Sequence, residues 1–127
     1  MIRPKRFQSN PQTADSNNFQ AEPDASPAEQ QKAALPEFEG LATALREAGI
    51  DVIVFDDTRE PHTPDSVFPN NWVSFHADGT VVLYPMEAEN RRSERRPDII
   101  EQLHAELGFQ VREVVDLSHH EADRHFL

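Results

Sequence analysis

Between residues 72 and 117 the hydrophobic pattern changes period twice, and this limits the possible folds more than any other feature of the sequence. Residues 72–76 and 80–84 are short apolar and β-branched runs separated by Ala77-Asp78-Gly79. Asp and Gly tolerate the left-handed backbone that a tight hairpin needs, so the two runs read as paired strands. Pro97 then opens a segment in which Ile99, Ile100, Leu103 and Leu107 recur at helical spacing, and Gly108 closes it. Residues 109–117 return to a strand pattern through Val111, Val114 and Val115. The order is strand, strand, helix, strand, which places the chain in the α/β class.

Upstream, a helix is predicted from about Leu35, with Phe38, Leu41, Leu45 and Ala48 on its apolar face and Gly49 at its end. Pro36 is tolerated only in a first turn, which fixes the expected start near it. Asp51-Val52-Ile53-Val54-Phe55 reads as a strand, and residues 58–69, with Pro61, Pro64 and Pro69, as a loop. Residues 7–33 are rich in Asn, Gln, Ser, Ala and Pro, with Phe7 and Phe19 as their large apolar side chains. The expectation is therefore one domain over 1–127, with a loop-rich arm over 1–34 and α/β structure over 35–127.

Composition excludes several function classes. Twelve Lys and Arg against 23 Asp and Glu give a formal charge of -11, the opposite of a nucleic-acid footprint. Arg91, Arg92, Arg95 and Arg96 are interleaved with no aromatic residue, so no stacking platform accompanies them. Arg92, Arg95 and Arg96 are expected to pair with Glu87, Glu89 and Glu94. The basic opening, Met1-Ile2-Arg3-Pro4-Lys5-Arg6, leads into no apolar stretch and so resembles no signal peptide. No run approaches a membrane span, which makes the cytoplasm the default expectation. There is no cysteine, so neither a disulfide nor a thiolate nucleophile can come from these residues.

Two segments carry candidate chemistry. Pro64-Asp65-Ser66-Val67-Phe68-Pro69-Asn70-Asn71-Trp72 is a polar loop feeding a strand, with an acid and two amides near its mouth. Loops at the ends of sheets commonly present binding groups, while Asp65 and Asn70 equally suit side-chain-stabilised turns. The second segment holds His119, His120, Glu121, Asp123 and His125. It lacks a His-Glu-x-x-His pattern, and a solvated loop is the preferred reading over a metal site. His76 beside the hairpin turn and His104 on the helix read as structural or exposed.

The loop at 64–72 resembles the Pro-Asp-x-Val-Phe motif of the guanidino-group-modifying, or pentein, superfamily, which includes deiminases, dimethylarginine hydrolases, dihydrolases and amidinotransferases. Further similarity lies in Ile2-Arg3-Pro4, Asn10-Pro11-Gln12-Thr13-Ala14 and Asn18-Phe19-Gln20. It continues through Asn70-Asn71-Trp72-Val73-Ser74-Phe75-His76, Leu83-Tyr84-Pro85-Met86 and Asn90-Arg91-Arg92-Ser93-Glu94-Arg95-Arg96. The nearest resemblance is to the amidinotransferase-like branch that contains citrulline-utilisation hydrolases.

This resemblance implies a five-bladed α/β propeller of strand-strand-helix-strand modules, of which 127 residues would hold about two. It implies a small-molecule substrate, citrulline or arginine-like, and no cofactor or metal. Asp65 and Asn71 would face its planar nitrogen-bearing group, with Asn70 and Phe68 beside them, and Arg91 would take the substrate carboxylate through its guanidinium fork. Asn71 stands where many guanidinium-processing relatives carry an aspartate. An amide both donates and accepts, which suits a neutral ureido group. No catalytic residue is expected within the chain. The acid, in a Glu-Gly-Thr-Gly-like turn continuing from Phe126-Leu127, the histidine and the cysteine would all come later. The expectation is thus an inactive N-terminal portion ending inside an apolar run, with the rest of the propeller as a possible partner. Its alternatives are an amidinotransferase, an arginine dihydrolase or a non-catalytic binding protein.

Overall fold

The computed structural model describes residues 1–14, 17, 20 and 24–126. The motif residues Asn18 and Phe19, and Leu127 at the end of the closing apolar run, lie outside the described residues. The chain divides into two compact units, Met1–Phe68 and Pro69–Leu127.

In the first unit, β1 (Ile2–Arg3) pairs in parallel with β2 (Phe55–Asp56), Ile2 opposite Phe55 and Arg3 opposite Asp56; between them in sequence lies α1 (Pro27–Glu47). The Met1 ammonium donates to the Ile53 carbonyl at 2.8 Å, and the Phe55 and Asp57 amides donate to Met1 and Arg3. The strand expected over 51–55 is therefore short and displaced. Only where the N-terminus runs alongside do its backbone groups gain ladder partners.

The long helix begins at Pro27, not near Leu35, so residues 27–34 of the expected arm are helical. The reason is a capping box: the Ser26 hydroxyl accepts from the Glu29 amide, and the Glu29 carboxylate accepts from the Ser26 amide. Pro27 occupies the first helical position, where its missing N–H costs nothing. Pro36 consequently lies inside the helix, at an exposed position where it forgoes one rung. The buried stripe is Phe38 and Ala42, while Leu41 of the expected face is 54% exposed. Gly49 ends α1 as expected, at φ 82°. The Gly49 amide bonds to the Arg46 carbonyl and the Ile50 amide to that of Leu45, a Schellman closure.

The loop after β2 is organised by a buried carboxylate. Asp57 accepts from the Thr63 hydroxyl at 3.0 Å and the Ser66 hydroxyl at 2.8 Å, and all three residues are buried.

The second unit contains a three-stranded sheet in the order β3 (Val73–Phe75), β4 (Thr80–Leu83), β5 (Glu113–Asp116). β3 and β4 are antiparallel with Ser74 opposite Val82; β4 and β5 are parallel with Val82 opposite Val115. α2 (Pro97–Ala105) makes the crossover. This is the expected strand, strand, helix, strand order.

At the hairpin, Gly79 has φ 91°, and a Cβ there would lie 2.7 Å from the Gln110 carbonyl oxygen, so a side chain is excluded twice over. The core is Trp72, Val73, Val81, Met86 and Ile100, with Leu83 and Val111 against it. Glu89–Glu94, expected as a plain connection, is a 3-10 turn. A second 3-10 turn, Ser118–Asp123, follows β5. The whole is a mixed α/β structure. No helix among the described residues is long and apolar enough to cross a membrane.

Candidate functional site

The loop at 64–72 divides between the two units, so its residues are described in turn. In the first unit Asp65 is half-buried, and its Oδ2 accepts from the Asn10 side-chain amide at 2.7 Å. Asn10 is fully buried, and its Oδ1 takes the Gln12 amide at 3.0 Å. The Asn10 carbonyl oxygen receives the Gln20 side-chain amide at 2.9 Å. The acid is thus held by Asn10, 55 residues away in the sequence. A carboxylate held by a buried amide keeps one orientation.

A cavity of about 770 Å³ opens in this unit, within the size range of small-molecule sites. Phe7, Phe38, Leu41, Val67 and Phe68 give it apolar walls, and Asp65 supplies a carboxylate on its lining. Phe68 is 47% exposed, an unfavourable disposition for a side chain serving only the core. Glu29 and Glu37 also line the cavity.

In the second unit Asn70 and Asn71 sit in a 3-10 turn, Pro69–Asn71, immediately before buried Trp72. Both are exposed. Arg91 lies in the Glu89–Glu94 turn, and its guanidinium is buried against Glu94. Nε is 3.1 Å from Oε1 and Nη2 is 2.9 Å from Oε2. The same Nη2 donates to Asn71 Oδ1 at 3.3 Å. The fork expected to meet a substrate carboxylate therefore already grips an internal one. Three residues apart in a 3-10 turn, the two side chains emerge on one side.

The remaining arginines also differ from expectation. Arg95 and Arg92 converge on Glu121, with Arg95 Nη2 3.1 Å and Arg92 Nε 3.3 Å from its Oε2; Arg96 pairs with Asp98. In place of the expected Glu87, Glu89 and Glu94, the acid brought to Arg92 and Arg95 is Glu121 from the turn after β5, while Glu94 pairs with Arg91. Glu121 also accepts from the Met86 amide at 2.7 Å. Burial alone would raise its carboxyl pKa. The Arg95 and Met86 hydrogen bonds and the charges of Arg95 and Arg92 outweigh that and hold it below the ordinary value.

Comparison with protein families decides the affiliation. Residues 3–127 match the family described as N,N dimethylarginine dimethylhydrolase, eukaryotic. The chain belongs to that family. Dimethylarginine dimethylhydrolases are pentein-superfamily hydrolases that act on C–N bonds of guanidino groups in arginine-like small molecules. Searches of curated proteins and of solved structures found no match.

Within this chain, the sequence singles out Asp65, Phe68, Asn70, Asn71 and Arg91. It did not assign Asn10, Glu94 or Glu121 to supporting roles. Asn10 carried a signal, since it opens the Asn10-Pro11-Gln12-Thr13-Ala14 motif. Nothing local in the sequence pairs residue 121 with residues 92 and 95.

Proposed function

We propose that this chain forms the substrate-recognising part of a hydrolase for guanidino or ureido groups, acting on citrulline or an arginine-like amino acid. It would be part of a single catalytic domain, about two modules of a five-bladed propeller, working in the cytoplasm. The nucleophilic thiolate, the acid–base histidine and their acidic partner would come from outside these residues. The observation that carries the reading is the family match over 3–127. The absence of cysteine from the 127 residues supports the placing of the thiolate elsewhere.

The assignment rests on the motif at 64–72 and not on how the two units sit: Asp65 would accept from substrate nitrogens and Phe68 cover the apolar stem, while Asn70 and Asn71 would meet the planar head. The role assigned to Arg91 is to orient Asn71. An arginine only donates, so its bond to Oδ1 directs the Asn71 NH₂ group elsewhere. An NH₂ group donates to a carbonyl oxygen, which a ureido group has and a guanidinium lacks. That supports citrulline over arginine as the preferred ligand, although the family takes its name from a methylated guanidinium, dimethylarginine.

Calorimetric titration with citrulline, arginine and dimethylarginine tests this. Citrulline should bind in preference to arginine, and Asn71→Asp should move the ratio towards arginine by about tenfold, the equivalent of one charge-assisted hydrogen bond. Asp65→Ala should abolish binding of all three. An unchanged ratio in Asn71→Asp, or full binding in Asp65→Ala, would sink the assignment. The chain should release neither ammonia nor amine from these compounds.

A further inference from the structure

The turn after β5 brings together three metal-ligating side chains that the hydrolase reading leaves unused. Atoms of His120, Asp123 and His125 able to ligate an ion lie within 4.8 Å of one another. The backbone creates this proximity. Arg124 adopts the left-handed conformation at φ 56°, and the His125 amide turns back to donate to the His120 carbonyl at 3.1 Å. A non-glycine residue at positive φ reverses the chain sharply, so His125 returns to the side of His120, their ring centroids 6.2 Å apart.

Their neighbours have other work. Glu121 is fixed by Arg95, Arg92 and the Met86 amide, and His119 Nδ1 is 3.1 Å from the Asp116 carbonyl oxygen. No hydrogen bond among the described residues engages the side chains of His120, Asp123 or His125. We propose that these three form a binding site for a divalent first-row transition ion such as Zn²⁺, with water completing the shell.

Two imidazoles and one carboxylate suit zinc-like ions and not calcium or magnesium, which take all-oxygen shells. Metal–nitrogen bonds near 2.0–2.1 Å in a tetrahedron set neighbouring ligands roughly 3.3 Å apart. The three atoms therefore need to close by at most about 1.5 Å. Asp123 and His125 are exposed and His120 is half-buried, so side-chain rotation alone can supply that movement. A bound ion would pin the turn that carries Glu121 to its two arginines.

This site is independent of the hydrolase reading, and its test needs no catalysis. Purified chain, free of any affinity tag, is titrated with Zn²⁺ by calorimetry and with Co²⁺ by visible absorption, where tetrahedral cobalt shows intense bands. One equivalent should bind. His120→Ala, Asp123→Asn and His125→Ala should each weaken it by more than about tenfold, since even supporting groups around metal sites carry that much. His119→Ala and His104→Ala should leave it unchanged, with circular dichroism verifying that every variant is folded. No saturable binding to the folded chain overturns the proposal. So does undiminished binding in the His120→Ala/His125→Ala double variant, or an equal loss in His119→Ala or His104→Ala.

Discussion

The units Met1–Phe68 and Pro69–Leu127 are held together internally by different kinds of interaction. Among the described residues of the first, the buried apolar side chains are Ile2, Pro4, Phe38, Ala42 and Pro64, and they are accompanied by buried Asn10, Asp57, Thr63 and Ser66. In the second, Trp72, Val73, Val81, Met86, Ile99 and Ile100 form the interior, and the buried charges are the mutually paired Arg91 and Glu94. Volume decides the second unit, because packing loss scales with the atoms removed. Hydrogen bonding decides the loops of the first, where a partner's removal strands a desolvated group. The site residues follow the same division: Asp65 is placed by a buried amide, whereas Asn71 is placed beside the packed Trp72.

The strongest blow to this contrast would come at Trp72, which is 2% exposed. Trp72→Ala should destabilise the chain by about 3–5 kcal/mol, the range for buried aromatic truncations. Urea denaturation followed by far-ultraviolet circular dichroism reads this directly, since the variant lacks the tryptophan fluorophore. A loss under about 1 kcal/mol would mean that the site collapses on itself and that packing does not dominate there.

The same contrast explains what the sequence reveals. The hairpin, α2 and β5 depend on alternating or helical apolar residues and on Gly79, all of which are local patterns, and their order is legible. The start of α1 was local too, but the signal was Ser26-Pro27-x-Glu29 and not hydrophobic spacing. Pro36, a residue type that usually marks a helix boundary, masks that signal by lying inside the helix. The capped turns upstream make the helix long enough to include an exposed proline. Asp65 and Asn71 could be singled out through their motif. Their supports, Asn10 and Arg91–Glu94, could not be inferred fully, because a hydrogen bond across 55 residues leaves no periodic trace. Glu121 is the same case, drawn to Arg95 across 26 residues.

Glu121 tests whether the second unit is purely a packing problem. Its side chain is 12% exposed, and Glu121→Gln replaces charge-assisted bonds to Arg95 with neutral ones. A cost of about 1.5–3 kcal/mol near neutral pH is expected for hydrogen bonds of this class. The folded carboxyl titrates below its ordinary 4.5, so its contribution is fully present above that value and falls as pH drops through the folded pKa. The gap between parent and Glu121→Gln, measured as urea midpoints from pH 7 to pH 3, should therefore narrow below pH 4.5. A gap constant across that range would assign the loss to shape, not charge.

A smaller effect, on the first unit, sharpens the other side of the comparison. Asp57 receives the Thr63 and Ser66 hydroxyls in a buried setting. Asp57→Asn keeps an acceptor oxygen but loses the charge, so it should cost only about 1 kcal/mol, the difference between charged and neutral hydrogen bonds. Asp57→Ala removes both acceptors and should cost more, up to about 3 kcal/mol, because two hydroxyls are then left buried without that partner. Amide hydrogen exchange at Ser66 and Phe68, whose N–H groups bond to the Thr63 and Asp65 carbonyls, reports on the loop itself. Faster exchange in the order parent, Asn, Ala would establish that the loop presenting Asp65 is held by side-chain hydrogen bonds. Equal exchange in all three would break the contrast, since the loop's order would then come from its prolines and backbone alone.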